Sequence, residues 1–167
     1  MAELVVKTDH IIKNVEKLDA YLKKHDIQWS LVSKVLSGDL SFLKKILRED
    51  IIERLHSIGD SRLSSLKTIK KLNPELVTIY IKPPAQGLVK SIVQYADISV
   101  NTSYRTIEAL SVEAVKQKKI HKVIIMIELG ELREGIKRDE LLNFCKKVLK
   151  LENIEVVGLG SNLGCMY

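Results

Sequence analysis

Short runs of apolar, β-branched residues alternate with longer amphipathic segments rich in lysine and glutamate, and this alternation constrains the fold more than any other feature of the chain. The apolar runs at 29–35, 54–58, 76–81, 97–100, 122–128 and 155–160 predict strands. The segments at 8–24, 40–48, 61–71, 86–95, 103–118 and 137–150 predict helices. In the first helix Thr8 stands at the N-cap position, and Ile11, Ile12, Val15, Leu18 and Leu22 share one face. The run at 122–128 is apolar enough to predict a strand buried on both faces. Pro83-Pro84 ends the third strand sharply, and Gly38-Asp39 breaks the chain after the first.

Strand followed by helix, repeated about six times, implies a parallel α/β sheet with right-handed crossovers. Two architectures satisfy that pattern: an open doubly wound sheet and part of a closed β/α barrel. The chain has 167 residues. That suits one domain with a sizeable core, but falls short of the roughly 250 residues of a full eight-unit barrel. No linker or shift in composition divides it, so a single domain is expected.

Composition removes several classes of function. With 46% hydrophobic and 29% charged residues the chain is globular rather than disordered. No apolar run approaches the roughly 18 residues of a membrane helix. Met1-Ala2-Glu3-Leu4 lacks the layout of a signal peptide, so a cytoplasmic location and no membrane partner are expected. Cys145 and Cys165 read as two reduced thiols. The net charge of +6 invites a nucleic-acid partner. However, the lysine pairs are spread along helix-like segments and only 5% of residues are aromatic, so solvated helix faces are expected instead. His10, His25, His56 and His121 form no metal-ligand spacing and read as surface or strand-edge residues, so no metal is expected. Neither a dinucleotide fingerprint, a P-loop nor a nucleophile elbow occurs.

In both candidate architectures the chemistry gathers at the C-terminal ends of the strands. Those ends here are polar, while the strand bodies are apolar. Lys34 is the most unusual of them, because it follows Leu31-Val32-Ser33 inside a strand expected to be buried. A buried lysine loses charge, and a neutral amine is the nucleophile that forms a Schiff base. The alternative is a strand-edge lysine whose ammonium reaches solvent.

Five strand-end segments together resemble the alanine racemase N-terminal-domain family of pyridoxal-phosphate enzymes, most closely its ornithine racemase branch. Ser33-Lys34-Val35-Leu36-Ser37-Gly38-Asp39 resembles TKVVCGD, and Gly59-Asp60-Ser61-Arg62-Leu63 resembles ADSRL. Tyr95-Ala96-Asp97-Ile98-Ser99-Val100-Asn101 resembles YADISLN. Glu128-Leu129-Gly130-Glu131-Leu132-Arg133-Glu134-Gly135-Ile136 resembles DLGDLREGI, and Val157-Gly158-Leu159-Gly160-Ser161-Asn162-Leu163 resembles VGIGTNL. The matches are collinear.

The resemblance implies a TIM-type (β/α) barrel, incomplete at about six of eight units, in which residues 1–167 form the N-terminal part. The remaining strands and a C-terminal β domain would lie outside this sequence. It implies an amino-acid racemase using pyridoxal 5'-phosphate, with Lys34 forming the Schiff base and moving the α-proton. Arg133 would sit near the cofactor, bonding its phenolic oxygen or a carboxylate; the alternative is a loop salt bridge with Glu131 or Glu134. Ser161 and Asn162 would also bind cofactor, Asn162 standing where alanine racemases carry a histidine. Gly38 stands where they carry the aromatic that reaches the phosphate. Arg62 and Asn101 are further candidates for polar contacts. The full-length form would be a homodimer acting on an amino acid. Two other readings stay open: a single-domain cofactor-binding protein of pyridoxal-phosphate homeostasis, and a non-catalytic truncated barrel serving as an interaction module.

Overall fold

The computed structural model describes residues 5–164 and divides into two compact units, one ending at Val77 and the next beginning at Thr78. The Met1–Leu4 reading and Cys165 lie outside the described residues; Cys145 is a free thiol.

The first unit contains α1 (Thr8–Lys23), β1 (Ser30–Val32), a 3-10 turn (Lys34–Leu36), α2 (Leu40–Ile46), α3 (Glu49–Ile52), β2 (Ser57–Asp60) and α4 (Leu63–Leu72). β1 and β2 pair in parallel with Ser30, Leu31 and Val32 opposite Ser57, Ile58 and Gly59. The N-cap of α1 is Lys7, which makes no side-chain cap, so Thr8 is the first helical residue rather than the cap. The α1 face carries Val15 inward and also buries a charge, Asp19. That carboxylate accepts from Lys23 Nζ at 2.9 Å, Arg54 Nη1 at 3.2 Å and Trp29 Nε1 at 3.3 Å. Burial works against its ionisation most strongly, but the three donors together outweigh it and hold the acid below its ordinary value.

Two expectations shift in this unit. Helix α3 was not expected; Glu49 and Asp50 in its first turn favour it, and it moves the second strand from 54–58 to Ser57–Asp60. The first strand ends at Val32, so Lys34 is not inside a buried strand. Ser33 leaves the extended region at φ −94°, ψ 1° and turns the chain.

The second unit contains β3 (Thr78–Tyr80), a 3-10 turn (Gln86–Leu88), α5 (Val89–Tyr95), β4 (Ile98–Asn101), α6 (Tyr104–Lys116), β5 (His121–Met126), α7 (Arg138–Val148) and β6 (Ile154–Gly160). Its four strands pair in parallel in chain order, each neighbouring pair joined by a helix. Ile107 of α6 and Val148 of α7 pack on Val123 and Ile125 of β5 to form its core. β5 is buried on that face more fully than on the other, where Ile124 is only half-buried. The reason lies opposite it: Gly158 and Gly160 of β6 pair with Ile124 and Met126 and bring no side chain.

His121 is a clear correction. Expected at the surface or a strand edge, it is 2% exposed, and its Nε2 lies 2.8 Å from Ser99 Oγ. Burial pushes its pKa down to about 4, against smaller opposing effects from Asp97 and a backbone bond at Ala96.

Candidate active site

The turn after β1 sets Lys34 in place through its backbone. Ser33 N–H donates to the Gly59 carbonyl at 2.9 Å, extending the β1–β2 ladder by one bond. Ser33 Oγ donates to Asp60 Oδ2 at 2.8 Å, and Asp60 Oδ1 accepts from Arg62 N–H at 2.9 Å, so one buried carboxylate ties the ends of both strands. Arg62 Nη1 donates to the Lys34 carbonyl at 3.0 Å. The turn closes with Ser37 at φ 54° and Gly38 at φ 77°. A Cβ on Gly38 would come within 2.7 Å of Ser65 Oγ and 3.0 Å of Ser65 Cα, so glycine serves both the conformation and the approach of α4. Asp39 then caps α2 by accepting from Phe42 N–H at 2.8 Å. The Lys34 side chain is exposed. Its carbonyl is bonded, while its amine has no partner among the described residues.

The loop after β5 is built on a second carboxylate. Glu128 Oε1 accepts from the N–H groups of Gly130 at 2.5 Å and Leu132 at 2.9 Å. These two bonds, with weaker help from Glu131 and Arg133 N–H, hold its pKa below the ordinary value against a small desolvation effect. The loop bends through Gly130 (φ 113°), Leu132 (φ 55°) and Gly135 (φ 140°). It returns to the strand by Ile136 N–H to the Met126 carbonyl, 2.8 Å, and Glu128 N–H to the Ile136 carbonyl, 3.1 Å. At Gly135 a Cβ would stand 2.3 Å from Glu128 N and 2.5 Å from Ile127 C, so only glycine fits where the loop crosses its own base.

This loop carries Arg133, whose Nη1 is 3.8 Å from Glu131 Oε1; the guanidinium is exposed and the Glu131 side chain is 9% exposed. Both Glu131 oxygens are buried without a hydrogen-bond partner among the described residues. Glu134 accepts a short hydrogen bond from Asn162 Nδ2, which joins this loop to the segment after β6. Ser161 Oγ is buried there and unpartnered among the described residues.

Asn101 stands apart from these groups. It pairs with Ile125 in the β4–β5 register and so shares the face covered by α6 and α7. Its Nδ2 donates to the Ser99 carbonyl at 2.9 Å and to Ser99 Oγ at 3.0 Å, and its Oδ1 is buried without a partner among the described residues.

Within the first unit, then, Lys34 and Arg62 are brought together. Within the second, Arg133, Ser161 and Asn162 are gathered around one loop, and Asn101 lies on a helix-covered face. Sequence reasoning did not anticipate the two carboxylates that organise the loops, Asp60 and Glu128. Glu128 had a visible signal, an acid two residues before a glycine at a strand end. Asp60 meets Ser33 only through strand register. Among the described residues no group of three or more His, Cys, Asp or Glu is placed to hold a metal, and no helix is long and apolar enough to cross a membrane.

Comparison with known proteins covers both units. The family described as alanine racemase, N-terminal domain, matches residues 6–167. An ornithine racemase from Acetoanaerobium sticklandii is 41% identical over 122 residues, which is 70% of this chain and 34% of that protein. The chain thus spans about a third of the length of that curated relative. Among solved structures, an alanine racemase from Clostridium difficile 630 superposes with a TM-score of 0.73 at 15% identity, covering 91% of this chain and 40% of that one. PipY from Synechococcus elongatus PCC7942, solved with PLP bound, gives a TM-score of 0.72 at 15% identity, covering 92% of this chain and 72% of that one. The fold is therefore the parallel β/α architecture of an incomplete TIM-type barrel, and the chain belongs to the alanine racemase N-terminal-domain family.

Proposed function

We propose that this chain is the cofactor-holding part of a pyridoxal-phosphate-dependent amino-acid racemase. In this reading Lys34 Nζ holds the cofactor's aldehyde and moves the proton at the substrate α-carbon. The observation that carries the reading is the Lys34 turn: a tied backbone presenting an exposed amine with no bonded partner among the described residues, at the C-terminal end of β1. A polar ligand also fits Ser161 Oγ, which is buried and has no hydrogen-bond partner among the described residues.

When bound, pyridoxal phosphate supplies an electron sink for negative charge at the α-carbon. The chain's own residues divide the remaining work. Lys34 would take or return the proton on one face of that carbon, and inversion requires a second group to act on the other face. Arg133, whose guanidinium is exposed beside Glu131, would offer a planar fork of donors to a phenolic or carboxylate oxygen. Ser161 Oγ and Asn162 supply short polar contacts, with Asn162 oriented by Glu134. Arg62 orients the turn through the Lys34 carbonyl. The 41% identity to an ornithine racemase favours this reading over a cofactor-homeostasis protein, because the likeness to PipY at 15% identity supports the fold alone.

Titration with pyridoxal phosphate tests the proposal. The wild-type chain should develop a visible absorption band and Lys34→Ala should not. With ornithine as substrate, optical rotation of the L-isomer should decay only in the wild type. No band at any cofactor concentration would sink the reading.

A further inference from the structure

A chain of polar groups runs through the helix-covered face of the second unit, and each hydrogen bond on it has a fixed direction. Asn101 Nδ2 lies 2.9 Å from the Ser99 carbonyl and 3.0 Å from Ser99 Oγ. The carbonyl can only accept, so the amide nitrogen faces it. Ser99 Oγ accepts from that nitrogen, which leaves its own hydrogen for His121 Nε2 at 2.8 Å. The ring therefore carries its hydrogen on Nδ1 and gives it to the Ala96 backbone. One acceptor is left over: Asn101 Oδ1, buried and without a partner among the described residues. Two charged groups act on the ring. Asp97 before β4 draws a proton to it, and Lys119 before β5 opposes one. Asp97 Oδ2 is held by Thr78 N–H at 2.8 Å, and Lys119 Nζ by the Val93 and Gln94 carbonyls of α5 at 3.2 and 3.3 Å. β6 meets His121 with neutral groups, Ile154 in register and the Asn153 carbonyl, while α6 and α7 bring the apolar Ile107 and Val148 to this face. Burial is the largest effect and pushes the ring's pKa down to about 4.

We infer that His121, Ser99 and Asn101 form a proton-operated switch: a proton taken by His121 Nε2 reverses the Ser99 hydroxyl and swings the Asn101 amide so that Oδ1 replaces Nδ2 against it. The proton comes from solvent, which reaches the exposed Ile120 beside the ring, and it stays on Nε2. The imidazolium donates from both nitrogens, so the Ser99 hydrogen has to leave Nε2. Asn101 Oδ1 is the unpartnered acceptor on the chain, and taking that hydrogen breaks the bond from Nδ2 to the Ser99 carbonyl. The change travels from the first residue of β5 to the last of β4, the end of the sheet where parallel β/α folds gather their chemistry. The switch needs no cofactor and stands whether or not the chain is a racemase.

Acid titration of the isotope-labelled chain by NMR tests it. At pH 7 the His121 ring should show the Nδ1–H tautomer. As pH falls, the ring and the Asn101 side-chain amide should shift together, with one midpoint near 4. In Ser99→Ala the Asn101 amide should stay still while the ring titrates, with the backbone signals of β4 and β5 reporting that variant's fold. If the variant does not fold, the wild-type readouts decide alone. The Nε2–H tautomer at pH 7, an Asn101 amide that stays still while the wild-type ring titrates, or one that still follows the ring in Ser99→Ala would each overturn the switch. So would unfolding of the whole second unit in place of the local step.

Discussion

The turn after β1 holds its shape with a buried carboxylate, a glycine pressed against α4, and one guanidinium bond to a carbonyl; the loop after β5 holds its shape with a half-buried carboxylate that collects the loop's own backbone N–H groups. In the first case the supports come from β2 and α4, and the Lys34 amine is left unbonded among the described residues. In the second the backbone supports lie within residues 126–136, Arg133 pairs with Glu131, and Glu134 reaches Asn162. The contrast teaches that the Lys34 amine is left exposed while only its backbone is fixed, whereas the side chains after β5 are set by a loop that folds on its own backbone and reaches Asn162. It follows that the two regions should respond differently to the same kinds of change.

The largest expected effect separates them at their glycines. Gly135→Ala places a Cβ against immovable backbone at φ 140°, and should cost about 4 kcal/mol by denaturant unfolding. Gly38→Ala meets a serine that has some room to give, and should cost about 2 kcal/mol. Equal losses would break the distinction between a loop crossing its own base and a turn resting on a helix.

Acid should also separate them. The folded pKa of Glu128 lies below its ordinary value of 4.5, so its contribution is complete above that pH and disappears as pH falls through the lower folded value. Amide exchange at Gly130 and Leu132 should accelerate over that window in wild type. In Glu128→Gln it should already be fast at neutral pH, with no acid step. Unchanged exchange in the variant would mean that the carboxylate does not hold the loop.

Smaller effects sharpen the account of Lys34. Arg62→Ala removes the bond to the Lys34 carbonyl and should cost about 0.5–1 kcal/mol of stability, with a weaker cofactor band. Lys34→Ala should change stability by less than about 0.5 kcal/mol, since the side chain is exposed and its amine unbonded among the described residues. A larger loss would mean that the lysine serves the fold.

Much of the fold is legible in the sequence because period and punctuation carry it. The β-branched runs found six strands among the described residues, and the Gly38-Asp39 and Pro83-Pro84 breaks fall where β1 and β3 have ended. What escaped depends on tertiary partners. Helix α3 is a single short turn with no periodicity to detect. His121 reads as an ordinary strand-edge residue until strand pairing puts Ser99 within 2.8 Å of it. Lys34 was recognisable as an anomaly and as part of a family motif. Of its two readings, buried in a strand or reaching solvent at a strand edge, the structure shows the exposed one, because Ser33 turns the chain toward Asp60, a residue 27 positions away. Of the candidate site, Lys34, Arg133, Ser161 and Asn162 could be named from strand-end position and resemblance. The separation of Asn101 onto a helix-covered face follows only from register.

The most direct measurement of the central claim is covalent trapping. The wild-type chain is incubated with pyridoxal phosphate, reduced with borohydride, digested, and mapped by mass spectrometry. The account predicts one dominant modified peptide, the one carrying Lys34, at cofactor concentrations where other lysines stay unlabelled. Labelling spread over the exposed lysines with no preference for Lys34, or a dominant adduct on another lysine, would contradict it.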